Sequence, residues 1–380
     1  MFFELNDKQK NFQKKVREIY EKEVNPLVDE YEKKQTFPKQ LFRILGDYHL
    51  LLVKCPKEYG GPGMDKISEC ILTEELNRIS IGIGAGVMVH GGLATDPILR
   101  HGSEEMKRKY LPPAVRGEKI GAFALTEPDA GSDASGIRTA AIRQGDGYRL
   151  NGSKTFITNG TICDFVTVAA YTDPTKRGKG INLFVVERED KGFSVVRKLE
   201  KLGNHSSDTA ELAFDDCYIP KERMIGEKEG GGLEQLEDTL KSGRITYGAR
   251  STGVGQAAFE KIFSYVKETK RYGDYLARSQ AIRFLLAEIA MNIEVMRYFT
   301  FRGAWLFDQG IATMKDASMV KLFCTETLQK ILKKSMSIQK EAGLIDENPI
   351  QRLLRDGRLF KITEGTSEIQ HIVIARELGL

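Results

Sequence analysis

The spacing of apolar positions changes twice along the chain, and the two changes divide it. Up to about residue 119 the period is helical. Phe12, Val16, Ile19 and Tyr20 fall on one face behind a capping Asn6, and Pro26 interrupts the run. Pro38 marks a helix start ahead of the stripe Leu41, Phe42 and Leu45. After a loop at 58–63, helices are predicted at 65–78, across the apolar, Gly-rich stretch 81–99, and beyond Gly102 and Ser103, where Glu104 and Glu105 occupy a first turn. From about 120 to 229 the period becomes two. Short β-type runs at 148–150, 155–158, 165–170, 181–186, 193–196 and 209–214 are separated by turn residues, which predicts a small barrel or sandwich. A glycine-rich joint at 226–232 follows. The remainder reads as long amphipathic helices broken only near Gly310 and Pro349.

Composition narrows the possible functions. A chain of 380 residues exceeds one ordinary core. Its 57 basic and 53 acidic residues leave a net charge of only +4, which argues against nucleic acid as main partner but permits a local phosphate-binding patch. No apolar run approaches the roughly 18–20 residues that span a bilayer, so no membrane partner is expected. The N-terminus lacks a basic-then-apolar leader, so nothing directs export. The five cysteines are scattered without a C-x-x-C pair and read as free thiols in a reducing, cytoplasmic setting. The five histidines show no ligand spacing, and no metal is expected.

The chemistry concentrates at residues 123–133, Phe-Ala-Leu-Thr-Glu-Pro-Asp-Ala-Gly-Ser-Asp. An apolar run at 121–125 stops at Pro128 and Gly131, as a strand feeding a loop does. Thr126 and Ser132 offer hydroxyls there, and Gly131 lets a ligand approach the backbone. Alone, the pattern fits a satisfied surface turn better than a ligand site. Two further motifs follow in order: Phe156-Ile157-Thr158-Asn159-Gly160, and Ile362-Thr363-Glu364-Gly365-Thr366-Ser367-Glu368-Ile369-Gln370. Together the three resemble the acyl-CoA dehydrogenase flavoproteins, and the resemblance covers nearly the whole chain.

The resemblance implies an α+β fold of three parts: an N-terminal α-helical domain (1–119), a middle β-barrel or sandwich domain (120–229) and a C-terminal four-helix bundle (230–380). It implies FAD as cofactor, an acyl-CoA thioester as substrate, and an electron-transferring flavoprotein as acceptor. In the family's reaction a carboxylate takes the proton α to the thioester while the flavin N5 takes a hydride from the β-carbon. Glu364 stands at the position of that base, with Ile362 as apolar wall and Gly365 allowing close approach. Some members carry the base just before the arginine that corresponds to Arg244. The residue here is Gly243, which cannot take a proton. Leu125 and Thr126 match contacts to the flavin ring, Ser132 a pyrophosphate contact, and Thr158 the partner of N5. Phe156 stands where the family often has tryptophan against the flavin, although its spacing suits a core aromatic equally. Thr366 and Glu368 match positions that reach the ADP half.

Ser132, Arg244, His90 and Gly365 are expected at the substrate. The Gly-rich segment 89–96 leaves room for a bulky acyl group, and its His90 or Asp96 could meet a polar acyl end. A buried His90 bonded to a helix carbonyl is the competing reading. Arg250 could bind a second carboxylate or face an interface. No arginine lies between Ile79 and Gly92, where the glutaryl-CoA members place theirs.

Two departures concern the FAD half-site that each family subunit lends its neighbour. The usual arginine after Glu268 is Thr269, with Arg271 as a substitute if the loop shifts. The usual Gln-x-x-Gly-Gly falls at 337–341, where Lys340 and Glu341 replace the glycines. Two assemblies therefore stand open: a homotetramer in which Arg271 compensates, or a heterotetramer whose related subunit supplies the missing contacts. An acyl-CoA oxidase and a scaffold subunit without catalysis remain the alternatives to a dehydrogenase.

Overall fold

The computed structural model describes residues 4–226, 228–271 and 273–380, with only the backbone of Arg177. Glu227 in the glycine-rich joint and Tyr272 in the segment after Glu268 lie outside the described residues.

Seven helices come first: α1 (Asp7–Glu23), α2 (Val28–Lys34), α3 (Gln40–Asp47), α4 (Lys66–Ile79), α5 (Ile81–Met88), α6 (Asp96–His101) and α7 (Glu104–Val115). Their starts follow local chemistry. Asn6 and Gln9 form a reciprocal capping box on α1, and Asp65 and Ser103 cap α4 and α7 through the backbone N–H groups of Ser68 and Met106. The stretch 81–99 is not one helix. α5 gives way to a π-helical turn, Val89–Ala94, before Pro97 opens α6. The pair Gly91-Gly92 sits in that turn.

Eight strands follow: β1 (Gly121–Ala124), β2 (Ala140–Gln144), β3 (Gly147–Thr158), β4 (Phe165–Tyr171), β5 (Ile181–Glu187), β6 (Phe193–Lys198), β7 (Thr209–Pro220) and β8 (Met224–Ile225). They form one sheet in the order β6-β7-β3-β2-β4-β5-β8, with β1 parallel to β4. β4 and β5 are buried almost throughout, Thr167 and Asn182 included, because both their faces are covered. Phe165, Ala169, Leu183 and Val185 pack on the N-terminal helices, whereas Val166, Val168, Phe184 and Val186 join Leu150, Leu212 and Ile219 in a core the curled sheet encloses by itself. The runs at 148–150 and 155–158 are one strand, β3. Register shifts lie between Leu150 and Gly152 and between Lys154 and Ile157, so the Asn-Gly-Ser that reads as a turn is a bulge.

The last third holds α8 (Gly232–Glu268), a hairpin of β9 (Lys270–Arg271) and β10 (Asp274–Tyr275), then α9 (Gln280–Asp308), α10 (Met314–Gln339), α11 (Pro349–Gly357) and α12 (Ser367–Glu377). The hairpin is an interruption the helical pattern does not announce. α8, α9 and α10 bury Val254, Ile262, Ile293, Met296, Leu328 and Ile331 against one another, with Ile350 and Leu353 of α11 on the same core. α8 also packs closely on α4, since a Cβ at Gly253 would collide with the Glu74 carbonyl. Among the described residues no helix is long and apolar enough to cross a membrane.

Candidate active site

Glu364 lies in the loop between α11 and α12, with φ +54 in the left-handed region. Its neighbours hold it there. Arg244 Nε donates to the Glu364 carbonyl at 3.4 Å and Gln370 Nε2 to the same oxygen at 3.2 Å. The Gly365 carbonyl accepts from Lys321 Nζ at 2.6 Å and from Gln370 Nε2 at 2.9 Å. Tyr247 of α8 shares a hydrogen bond with Thr363. A strained backbone persists where surrounding contacts over-determine it.

The carboxylate of Glu364 turns toward α8, beside Gly243. A Cβ at Gly243 would collide with Glu364 Oε2, so glycine is the residue that leaves space there. Although the residue as a whole is partly exposed, Oε2 is enclosed and has no hydrogen-bond partner. Burial raises its pKa to about 7, against the opposing charges of Arg250, Lys321, Arg244 and Lys66. An enclosed, unpartnered carboxylate of this basicity is suited to proton abstraction.

Glu364 forms part of the wall of a cavity of about 480 Å³, counted out to its open mouth, between α4, the π-helical turn and α8. Leu51, Leu72, Val87, Met88 and Leu93 make its apolar walls. Glu69, Thr73, Asp96, Ser242 and Thr246 make a polar part that the sequence reading passed over, except for Asp96. Lys66, Glu69 and Thr73 share one face of α4, but the helix also carries Glu74, Glu75, Asn77 and Arg78, so spacing alone does not single them out. Gly91 and Gly92 have different jobs. A Cβ at Gly91 would press on the Leu51 carbonyl at 2.7 Å, whereas Gly92 has nothing within 4 Å and borders open space.

Several expected substrate contacts are not in this wall. His90 is fully buried; the Gly121 N–H donates to its Nδ1 at 3.0 Å, so Nε2–H donates to the Ala114 carbonyl, also at 3.0 Å. That neutral ring joins β1 to α7 and does not meet an acyl group, and burial lowers its pKa to about 4. Arg244 is committed to Ser318 Oγ at 2.9 Å and to the Glu364 carbonyl, so it clamps the loop from outside the cavity. Arg250 bonds Asn77 and lies over the rings of Tyr247 and Phe360, each 4.8 Å away. Arg250 is buried, and these contacts all lie within the chain. Ser132 is exposed on the loop after β1 and lies apart from the cavity.

The flavin-type residues converge at the end of the sheet. Lys154 Nζ donates to the Leu125 carbonyl at 2.9 Å and to Glu127 at 2.8 Å, and the Thr155 N–H donates to the Thr126 carbonyl at 2.9 Å. The loop after β1 is thereby stapled to β3. On that edge Phe156 has φ +59 and is 68% exposed, which excludes the core-aromatic reading. Thr366 caps α12 through the Ile369 N–H, and Glu368 stands exposed in its first turn. Arg271 of β9 is taken by Glu341 at 2.8 Å, so the two departures from the family motifs meet each other in this fold.

Three family models match the chain in order: acyl-CoA dehydrogenase N-terminal domain over residues 6–118, middle domain over 122–217 and C-terminal domain over 230–379. The chain belongs to the acyl-CoA dehydrogenase family. It is 38% identical to the short-chain-specific acyl-CoA dehydrogenase of Clostridium acetobutylicum over 378 residues, covering 100% of each. It is 36% identical to a subunit of the caffeyl-CoA reductase–Etf complex of Acetobacterium woodii, covering 99% of this chain and 98% of the relative. The solved butyryl-CoA dehydrogenase of Megasphaera elsdenii matches it at TM-score 0.97 and 36% identity, over 100% of both chains. The protein is therefore an FAD-dependent oxidoreductase of this family. Its own residues fit that cofactor. Phe156 offers an exposed aromatic face, and the hydroxyls of Thr126 and Thr158 make no hydrogen bond among the described residues.

Proposed function

We propose that the protein catalyses α,β-dehydrogenation of an acyl-CoA thioester, with Glu364 as base. The observation that carries this reading is the Glu364 carboxylate: enclosed, unpartnered, raised to about 7 and placed on the cavity wall. Glu364 accepts the α-proton, and the β-carbon loses a hydride as the C=C bond forms. FAD, when bound, supplies the hydride acceptor. Leu125, Thr126, Phe156 and Thr158 are the residues that would hold its ring, with Ser132, Thr366 and Glu368 toward its phosphates and adenosine. Arg244 and Lys321 fix the Glu364–Gly365 backbone, and the apolar walls exclude water from the carboxylate.

Electrons would pass on to an electron-transferring flavoprotein, a reading supported by the relative named as part of an Etf complex. The five buried thiols suit a cytoplasmic setting. We take the working domains as 1–119, 120–229 and 230–380. Self-association is supported by an exposed apolar stripe on α9, formed by Phe284, Met291, Val295 and Tyr298 at helical spacing. The Arg271–Glu341 pair favours a second reading beside the homotetramer. It ties up the nearest candidate phosphate-binding cation, so a related subunit would complete the FAD site in a heterotetramer. The decisive experiment is anaerobic titration of the FAD-loaded protein with a panel of saturated acyl-CoA thioesters. Bleaching of the flavin by at least one is the expected result, and an unbleached flavin with all of them rejects the dehydrogenase.

A further inference from the structure

We propose that the acyl group this cavity accepts ends in a hydroxyl, an alcohol or a phenol, held between Ser242 of α8 and Glu69 of α4. The inference rests on the cavity beside Glu364 being the acyl site of the proposed reaction. It adds the chemical class of what fills it.

The polar end of the cavity is a closed set of charges. Lys66 Nζ donates to Glu69 Oε2 at 2.6 Å, to Ser242 Oγ at 2.8 Å and to Thr246 Oγ1 at 2.7 Å. Lys54 Nζ reaches Asp96 Oδ1 at 3.1 Å, Ser242 Oγ at 3.2 Å and Glu69 Oε2 at 3.3 Å. An ammonium has three donors; Lys66 uses all three on these partners, whereas Lys54 makes two hydrogen bonds and pairs with Glu69 by charge. Arg100 bonds the other oxygen of Asp96 at 2.8 Å and lies over the Phe307 ring. Lys54, Lys66 and Arg100 are not among the residues that line the cavity, whereas Glu69 and Asp96 are, so a carboxylate-ended acyl group would lie against like charge. Nor does a cationic end fit, because both carboxylates are already compensated. Burial opposes their ionisation, yet the neighbouring lysines and Arg100 hold Glu69 below the usual range and Asp96 down to about 2. Both therefore act as acceptors only.

Two valences remain, and both belong to residues that line the cavity. Ser242 Oγ receives both ammonium groups on its lone pairs, so its own hydrogen must point elsewhere, and no acceptor for it exists among the described residues. Glu69 uses Oε2 for the lysines, while Oε1 has no partner and is not sealed from the cavity. One free donor beside one free acceptor is the complement of a hydroxyl, which accepts from Ser242 and donates to Glu69. A methyl end would leave both without a partner. Thr73, one turn along α4, adds a further hydroxyl on the same wall.

The test uses pairs of CoA thioesters that differ only in hydroxyl against methyl at the acyl end: 4-hydroxybutyryl and pentanoyl, 5-hydroxypentanoyl and hexanoyl, 3-(4-hydroxyphenyl)propanoyl and 3-(4-methylphenyl)propanoyl. Glutaryl-CoA serves as the anionic control. Flavin reduction is followed in the holoenzyme, and calorimetry measures Kd for the matching enoyl thioesters. For at least one pair the hydroxyl member should be favoured by about tenfold or more in both readouts. Ser242→Ala should cut that preference to about twofold, and Ser242→Thr, which keeps a hydroxyl, should retain most of it. Should Ser242→Ala not fold, the wild-type pairs alone decide. Preference for the methyl member in every pair, tightest binding of glutaryl-CoA, or a preference that survives Ser242→Ala overturns the proposal. Bleaching by the alkyl thioesters alone would reject the hydroxyl class while leaving dehydrogenation intact. Hydroxyl-selective binding without bleaching by any thioester would reject dehydrogenation while leaving this assignment of the cavity.

Discussion

Glu364 is costly to fold as a carboxylate, and that cost suits it to the proposed role of base. Burial raises its pKa in the fold to about 7, above the ordinary glutamate value of 4.5. The sign follows from linkage: a group whose folded pKa is raised contributes full stability below its unfolded pKa and loses it as pH rises through the folded value. Glu364→Gln should therefore melt higher than wild type at pH 8, with the advantage shrinking toward pH 5. Scanning calorimetry at the two pH values checks this, and an advantage independent of pH would contradict it. The same pKa governs activity. Because the base must be ionised, kcat/KM should rise with pH and level off with an apparent pKa near 7. Glu364→Gln should still bind FAD yet lose roughly 10²–10⁴-fold in the rate of flavin reduction. Rapid-mixing reduction at near wild-type rate would remove Glu364 from the chemistry.

At the scale of elements, the site exists because three helices meet without side chains in the way. α8 passes α4 closely at Gly253 and passes the Glu364 loop closely at Gly243. An alanine at 243 would suit an isolated helix better than glycine by about 1 kcal/mol. In the fold it would strike the Glu364 carboxylate. Gly243→Ala should therefore leave the melting temperature within a few degrees of wild type while slowing flavin reduction by roughly tenfold to a hundredfold, since displacing a reacting group by about an ångström has that effect. Unchanged reduction in a well-folded Gly243→Ala protein would show that the carboxylate moves aside freely. The π-helical turn Val89–Ala94 works at the same scale, setting Gly92 on open space and Gly91 against the Leu51 carbonyl.

For the whole molecule the open question is who completes the FAD site. Arg271 and Glu341 form a partly exposed pair that solvent screens, so it is weak enough to be exchanged for a phosphate. Expressed alone, the chain should bind close to one FAD per protomer if Arg271 is released to the cofactor. An apo or half-loaded protein, filled only on co-expression with a related chain, would establish the heteromer. Absorbance of the released flavin against protein concentration, with light scattering for mass, decides between them. Met291→Glu, in the α9 stripe, should shift the protein toward smaller species in the same light-scattering measurement.

What the sequence determined by itself is whatever a short window of chain encodes. The caps at Asn6, Asp65 and Ser103, the largely apolar runs of β4 and β5, and the long helical periods of α8 to α10 depend on neighbours a few residues away. The three motifs identified the family for the same reason, and they singled out Glu364 as the candidate base. Tertiary structure decided what each charged group experiences. Glu364 owes its basicity to burial beside Gly243, which outweighs the opposing charges of Arg250 and Lys321; long stretches of chain separate all three from it and only packing brings them near. His90 turned from a candidate substrate contact into a link between β1 and α7 because both its nitrogens found backbone partners. The bulges in β3 joined two runs that turn residues seemed to part, since pairing with β7 outweighs the local preference of Asn151 and Gly152. Lys54, Lys66, Glu69, Asp96 and Ser242 come from four separate segments, and no spacing along the chain announces their meeting. Burial and electrostatic environment are properties of the assembled fold, because desolvation depends on everything that surrounds a group and not on its place in the chain.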